Sequence, residues 1–255
     1  MRIGLEIEFT GNTRVAVAKA LAELWDTKYE EVVVWKDDSE RLRHVLYDPY
    51  GAMWKIVRDK SIKVEPDNIT KDNDDYKYYQ CELVCPILDS DRRITRTRLR
   101  EVLEIVKGLG CKTNLSCGIH IHIDMLGLEW VDKLFRRVFD NQKDLASYLH
   151  IPLVRKEKYC ILYPDWFIDE YKAHGKFNSL EEWKEFFFSR LSKGVSIDHE
   201  RNPARYYIVN MHSLHTFNTI EFRPFNSTLD IDTLCEYINL VERFSTFEEF
   251  NQLSA

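Results

Sequence analysis

Strict alternation of apolar and polar residues is the feature that most constrains how this chain folds. It is clearest in RIGLEIEF (2–9) and CGIHIHIDM (117–125), and it returns in YYQCELVCPI (78–87) and NTIEFRPF (218–225). A period of two puts successive side chains on opposite faces of an extended strand. The four segments are therefore predicted to be strands, each with one apolar face.

The segments between these strands carry the three-to-four-residue periodicity of helices. Helices are predicted at 12–25, 92–108, 128–148 and 230–250, with two short helices within 163–191. Further strands are predicted at 30–35, 52–57 and 204–211, and a surface loop at 66–77. Strands recurring irregularly between helices predict an α+β fold, in which helices pack on one face of a largely antiparallel sheet. Because no segment rich in proline, glycine and serine separates two parts of the sequence, a single domain spanning residues 1–255 is expected.

Several helix starts carry capping residues. Asn12 or Thr13 is the predicted cap of the first helix, and Asp230 that of the last. Ser179 and Glu182 have the spacing of a capping box, in which each side chain satisfies a backbone amide of the first turn.

Composition excludes several classes of protein. The formal net charge is −6, whereas proteins that bind nucleic acid non-specifically usually carry a basic excess. The basic segment DRRITRTRLR (91–100) is interpreted as the solvated face of a helix. No apolar run approaches the roughly 20 residues of a membrane span, and no signal-peptide pattern opens the chain. We therefore expect a cytoplasmic protein with no membrane partner.

The cysteines point to a reducing environment. There are six, at positions 81, 85, 111, 117, 160 and 235, and none forms a CxxC pair. Reduced thiols packed in the core are the expected use. A zinc site formed by Cys81, Cys85 and Cys117 stays open as an alternative.

The polar faces of the four alternating strands carry an unusual set of side chains. Any one face, with its Glu or His, is explained by exposure to water. A solvated strand face normally carries Thr, Lys, Gln and Ser, yet these faces contain no lysine and are rich in carboxylates and imidazoles. If the strands share one sheet, the common face collects Glu6, Glu8, Glu82, His120, His122, Asp124, Glu221 and Arg223.

Such a face favours a divalent cation. Carboxylates this close repel one another unless a cation lies among them. Three or four carboxylates with one imidazole suit Mg²⁺ or Mn²⁺ better than structural Zn²⁺, and such clusters commonly hold the metal that bridges nucleotide phosphates. Arg223 would then neutralise charge on a phosphoryl group. The residues alone therefore indicate phosphoryl-transfer chemistry.

In order along the chain, GLEIEF, CELVCP, CGIHIHID and RYYIVN with NTIEFRPF resemble the motifs of the amidoligase family of carboxylate–amine ligases. The resemblance spans residues 2–230 and depends on the order G-x-E-x-E, E-L-V, G-x-H-x-H, R-x4-N and T-x-E-x-R. It implies the catalytic fold shared by glutamine synthetase and glutamate–cysteine ligase. It also implies ATP and Mg²⁺ or Mn²⁺ as cofactors, with small-molecule or peptide carboxylate and amine substrates joined through an acyl phosphate.

The resemblance also assigns roles to single residues. The implied metal ligands are Glu6, Glu8, Glu82, His120 and Glu221. The implied catalytic set is Arg223, Arg205 and Glu221, and the implied contacts to ATP are His122, Arg223 and Asn210. Arg205 and Asn210 would hold phosphate or the substrate carboxylate. The stretch MWKIVRDKS (53–61) resembles W-x4-D-x-S, which would place Asp59 and Ser61 near the substrate.

Two departures from the family pattern leave other functions open. Lys60 stands where the W-x4-D-x-S stretch is expected to have glycine, and residues 150–200 carry no matching motif. A catalytically silent relative that binds a nucleotide or a partner is one alternative. A zinc metallohydrolase using His120, His122 and Asp124 is another.

Overall fold

The computed structural model describes residues 1–36, 39–64, 74–90, 93–199 and 201–248. The strands within these ranges are β1 Arg2–Phe9, β2 Tyr29–Lys36, β3 Ser39–Tyr47, β4 Met53–Val57, β5 Cys81–Val84, β6 Leu88–Asp89, β7 Gly118–Asp124, β8 Val209–Asn210 and β9 Thr219–Asn226. The α-helices are α1 Arg14–Leu24, α2 Arg93–Gly108, α3 Leu128–Tyr148, α4 Leu153–Lys158, α5 Asp165–His174, α6 Leu180–Leu191, α7 His212–Phe217 and α8 Ile231–Thr246. Two 3-10 helices cover Asp74–Tyr79 and Pro203–Tyr206. Among the helices of these ranges, none is both long and apolar enough to cross a membrane.

The mixture of helices with antiparallel strand pairs confirms the α+β prediction. The chain divides into two compact units, of which the first holds residues 1–120 and 226–238. The second holds residues 121–225 and continues from residue 239. Both β7 and α8 therefore begin in one unit and end in the other. A single domain, and helices on one face of the sheet, stay predictions.

The first unit is built on antiparallel strands in the order β2-β3-β4-β5-β1, with β6 also paired to β1. The pairing of β1 with β5 sets Ile7 opposite Leu83 and Glu8 opposite Glu82. β4 pairs with the other edge of β5, so that Val57 lies opposite Glu82. The register therefore brings the polar residues of β1 and β5 to the same positions along the sheet.

The apolar face of β1 forms the core of this unit, as the alternation predicts. Its four apolar side chains are all buried: Ile3, Leu5, Ile7 and Phe9. Helix α1 packs against β3, β4 and α2, and Thr13 caps it by accepting a hydrogen bond from the Ala16 amide at 3.2 Å. Burial of one strand face fixes the register, because a slip of one residue would turn the charged face inward.

An aromatic cluster forms the core of the second unit. Phe135 of α3 lies with its ring centroid 5.0 Å from that of Phe187 and 5.4 Å from that of Trp183, both in α6. Tyr163 is fully buried and donates its hydroxyl to the Val209 carbonyl at 2.5 Å. The segment 163–191 therefore holds the two predicted helices, and its aromatic residues tie them to α3 and β8.

The predicted strand at 204–211 is wrong over most of its length. Residues Pro203–Tyr206 form a 3-10 helix, Tyr207 makes an isolated β-bridge to Ile161, and the strand itself covers only Val209–Asn210. The Asn202 side chain accepts a hydrogen bond from the Ala204 amide at 2.9 Å, which favours a helical turn over pairing in a sheet.

Strand β3 and helix α7 have no counterpart among the predicted elements. Within the predicted loop 66–77, residues 66–73 lie outside the described residues, as do the first two of the basic segment 91–100.

The capping predictions are confirmed with one refinement. Asp230 accepts the Thr233 amide at 2.8 Å. The Ser179 hydroxyl accepts the Glu182 amide at 3.0 Å, whereas the Glu182 carboxylate accepts the amide of Asn178 at 2.7 Å. The hydrogen bond from Asn178 is the main cause that lowers the pKa of Glu182.

Replacing Ser179 with alanine is expected to lower the free energy of unfolding by about 1 kcal/mol, because the Glu182 amide loses its acceptor. Urea unfolding followed by circular dichroism measures the change, and Ser179→Asp should restore most of it. Ser189→Ala is the matched control, since that hydroxyl caps no helix end: it donates to the Phe186 carbonyl and accepts from Nη1 of Arg190 inside the same helix. Equal losses in the two alanine variants would contradict the capping role.

Candidate functional site

Two carboxylates face each other across β1 and β5 in the first unit. Glu8 and Glu82 are direct partners in the antiparallel register. Side chains at directly opposite positions have Cβ atoms about 5 Å apart, and like charges there destabilise a sheet. This placement therefore favours a positive charge between the two.

Glu8 is held in place by the backbone of β7. It is only 3% exposed, and its Oε2 accepts the Gly118 amide at 2.6 Å. Its Oε1 lies 3.8 Å from Nε2 of His120. A buried carboxylate that accepts a backbone amide is kept in one orientation, so Glu8 presents a fixed oxygen.

Asp59 joins this pair from the loop after β4. Each of Glu8, Asp59 and Glu82 offers one carboxylate oxygen, and these three oxygens lie within 4.8 Å of one another. Oδ1 of Asp59 accepts the Ser61 amide at 2.6 Å, which makes an Asx turn. Lys60, which stands in place of the expected glycine, does not have a positive φ. The turn therefore forms without glycine and aims Asp59 at the other two carboxylates. We call these three residues the carboxylate triad.

His120 and Glu6 adjoin the carboxylate triad. Nδ1 of His120 lies 3.0 Å from Oε2 of Glu6, and the imidazole is buried. When Nδ1 carries the proton and donates to Glu6, the lone pair of Nε2 faces Glu8. This is the arrangement in which a carboxylate orients an imidazole toward a metal.

The chemistry of the donors decides which cation fits the carboxylate triad. Three carboxylate oxygens from three separate elements form an all-oxygen set, which suits hard cations such as Mg²⁺ or Mn²⁺. The half-buried Asp59 and Glu82 leave room for water, which Mg²⁺ usually retains. The residues present therefore fit a divalent cation of this class.

The second unit holds a buried ion pair on β9. Glu221 and Arg223 are both buried, and Oε1 of Glu221 accepts from Nη1 of Arg223. Oε2 of Glu221 accepts the side-chain amide of Asn210, its register partner on β8, at 2.5 Å. Nε of Arg223 donates to the Tyr159 carbonyl at 3.0 Å. Arg223 is therefore fixed on two sides, and both faces of β9 are buried there.

Arg155 of α4 braces the backbone under this ion pair. It is only 1% exposed and donates to the carbonyls of Arg223 at 3.0 Å and Phe225 at 2.5 Å. The backbone amides of Tyr159 and Cys160 in turn donate to the Arg155 carbonyl. The turn at 155–160 thus positions Arg223 through both a side chain and a backbone carbonyl.

His122, another predicted site residue of the second unit, offers a ring nitrogen within 4.8 Å of a carboxylate oxygen of Glu221. Nδ1 of His122 lies 3.1 Å from the Thr219 hydroxyl, and its ring meets Phe217 edge to face. The Arg205 guanidinium lies 5.6 Å from the Tyr206 ring centroid. Burial is the main cause that lowers the pKa of His212, and the charge of Arg205 acts in the same direction.

The alternating pattern finds most of this site but misses three parts of it. The structure groups Asp59 with Glu8 and Glu82, whereas the resemblance implies a substrate contact. The Tyr159 carbonyl carries no side-chain signal that a sequence could display. Arg155 lies in a segment without motifs, and the charged residues Lys156 and Glu157 that follow it disguise its buried role.

The cysteines are free thiols, and burial disfavours their use as zinc ligands. Cys81, Cys85 and Cys117 are all buried, and Sγ of Cys81 donates to the Asn12 carbonyl at 3.3 Å. Burial raises the pKa of Cys81 and of Cys85 well above the ordinary value. Zinc binds the thiolate, so these surroundings favour packing over coordination.

Mg²⁺ is expected to stabilise the wild-type protein by about 1–2 kcal/mol at a concentration several times its Kd. Glu82→Gln should lose most of that gain and should be at least as stable as wild type in EDTA, because the repulsion with Glu8 is removed. Urea unfolding with and without MgCl2 measures both effects. Glu23→Gln, at an exposed position of α1, is the matched control. An unchanged gain from Mg²⁺ in Glu82→Gln would remove this residue from the ligand set.

Comparison with known protein families identifies a match over most of the chain. The family model described as "Putative amidoligase enzyme" matches residues 1–245. No curated protein matches the chain at a significant level. The matched range includes every residue of the carboxylate triad and of the ion pair on β9.

Proposed function

The chain belongs to the amidoligase family, and from this membership and the carboxylate triad we propose that it is an ATP- and Mg²⁺-dependent carboxylate–amine ligase. The product is an amide or isopeptide bond, formed through an acyl phosphate. The proposal includes a catalytic fold like that of glutamine synthetase. The observation that carries it is the convergence of Glu8, Asp59 and Glu82, since a bound divalent cation relieves the repulsion among these carboxylates.

Mg²⁺ is proposed to be held by the carboxylate triad, with His120 and Glu6 beside it. When bound, the cation neutralises charge on the phosphate oxygens of ATP. Glu8 keeps its orientation through the Gly118 amide, and Asp59 through its Asx turn. Preset ligands of this kind lower the cost of ordering the site when the nucleotide binds.

The proposed reaction has two steps. An oxygen of the substrate carboxylate attacks the γ-phosphorus of ATP, the bond to the bridging oxygen breaks, and ADP leaves. The amine nitrogen then attacks the carbonyl carbon of the acyl phosphate, the bond from carbon to the phosphate oxygen breaks, and the amine loses a proton. Catalysis of such transfers comes mainly from positioning and electrostatics.

In this proposal Arg223 supplies a fixed positive charge. Arg223 stabilises the transferring phosphoryl, held in place by Glu221, the Tyr159 carbonyl and the backbone bonds of Arg155. Glu221 is also proposed as a metal ligand. The contacts proposed for phosphate or the substrate carboxylate are those of Arg205, Asn210 and His122, and Ser61 is proposed to lie near the substrate.

Trapping with hydroxylamine tests the proposed reaction without knowledge of the natural amine. Purified full-length protein is incubated with ATP, MgCl2, hydroxylamine and a panel of carboxylic acids, because an acyl phosphate gives a hydroxamate that is detected by mass spectrometry. Hydroxamate should form only when ATP and Mg²⁺ are both present. Failure of Mg²⁺-dependent ATP binding, together with no hydroxamate from any acid, would overturn the proposal.

Arg223→Lys is expected to lower turnover about 100-fold or more, while the Kd for ATP changes by less than about threefold. Lysine keeps a positive charge beside the buried Glu221 but loses the planar donor pair that reaches both partners. Single-turnover kinetics and equilibrium ATP binding separate the two effects. Arg190→Lys is the matched control, because Arg190 forms an ion pair with Glu170 at the surface of the same unit. Equal losses in turnover and ATP affinity would refute the role given to Arg223.

A further inference from the structure

Two guanidinium groups meet at Gln80 in the first unit. Arg14, the first residue of α1, donates from Nη1 to the Gln80 carbonyl at 3.1 Å and to the Lys77 carbonyl at 2.5 Å. Arg58, just after β4, donates from Nε to Oε1 of Gln80 at 2.7 Å. We call Arg14 and Arg58 the arginine pair.

The arginine pair has no carboxylate partner in the part of the chain that the structure describes, since no such oxygen lies within 4.0 Å of either guanidinium. Arg14 is only 4% exposed, and its Nε is buried without a hydrogen-bond partner. Burial lowers the pKa of Arg14, and the nearby charge of Arg58 acts in the same direction. Two like charges at short range leave the free protein with an unfavourable electrostatic energy.

A purely structural role explains only half of this arrangement. The Nη1 bonds of Arg14 tie the 3-10 helix Asp74–Tyr79 to α1, and a buried arginine often serves in this way. They do not explain why an exposed arginine is directed to the same glutamine. Nε2 of Gln80 donates to the Ile62 carbonyl at 2.8 Å, which turns Oε1 toward Arg58 and fixes its direction. The second guanidinium is thus positioned rather than solvated at random.

Arg58 and Gln80 lie close in sequence to two residues of the carboxylate triad. Gln80 precedes Glu82 by two residues, which is about 7 Å along an extended chain, and Arg58 directly precedes Asp59. Arg58 and Tyr78 are exposed, so solvent reaches the outer member of the pair. A molecule that spans this separation would place one group at the triad and another at Arg58.

We propose that Arg14 and Arg58 form a subsite for a second acidic group, carboxylate or phosphate, on the acid substrate. Guanidinium groups match such anions with paired charge-assisted hydrogen bonds. The role of the bound molecule as a ligase substrate depends on the proposed function, whereas binding of the anion does not. The preferred acid substrate is then one with two acidic groups.

Isothermal titration of the full-length protein in MgCl2 tests the subsite with three probes: glutarate, 3-phosphonopropionate and butyrate. The diacids should bind at least about tenfold more tightly than butyrate, which lacks the second group. Comparison of the two diacids shows whether carboxylate or phosphonate is preferred. Arg58→Gln should abolish the preference, and Arg58→Lys should keep part of it. Because Arg58 is exposed, both variants are expected to fold.

Lys63→Gln is the matched control, since it removes one positive charge from an exposed position of the same loop. It should leave the preference for diacids within about twofold of wild type. Equal affinities of wild type for butyrate and both diacids, including no binding of any of the three, would overturn the subsite. So would an equal loss in Lys63→Gln and Arg58→Gln.

The two proposals fail separately. A preference for diacids that depends on Arg58, in a protein that forms no hydroxamate, would keep the subsite and reject the ligase. Hydroxamate formed equally from monoacids and diacids by both wild type and Arg58→Gln would keep the ligase and reject the subsite.

Discussion

Glu8 of β1 stands directly opposite Glu82 of β5, and the candidate site of the first unit depends on this contact between like charges. One of the two, Glu8, is buried and fixed by a backbone amide, so it cannot turn away into water. Asp59 adds a third carboxylate rather than a compensating cation. A cluster of three carboxylates is suited to a function in which a bound cation lies among them.

The second unit holds a buried positive charge, in contrast to the carboxylate cluster of the first unit. The guanidinium of Arg223 donates to the carboxylate of Glu221 on the same strand and to the Tyr159 carbonyl. Arg155 in turn donates to the backbone carbonyl of Arg223. A guanidinium whose hydrogen bonds are already made reorganises little when charge develops nearby. Within its own unit, Arg223 is therefore a positive charge that is held rigid.

The sequence alone predicts the strand faces well because burial enforces a period of two, as the isoleucines of β7 and the apolar residues of β1 illustrate. It predicts α3 because the buried residues of that helix recur at a spacing of three to four residues. It fails where local hydrogen bonds decide the backbone, as at Asn202, whose side chain favours a helical turn in the segment predicted to be a strand. It also fails where a backbone atom makes the contact, as the carbonyl of Tyr159 does with Arg223. It fails again where a loop brings Asp59 close to Glu8 and Glu82, which are distant in sequence.

The opposition of Glu8 and Glu82 also bears on how the sheet is assembled. Side chains alternate, so sliding β5 by one residue would set Leu83 opposite Glu8 and would push the charge of Glu82 among buried apolar side chains. The penalty for that mistake is far larger than for a slip between two uncharged strands. The same carboxylates therefore also specify the alignment of β1 with β5, because a misaligned pairing would bury a charge among apolar side chains.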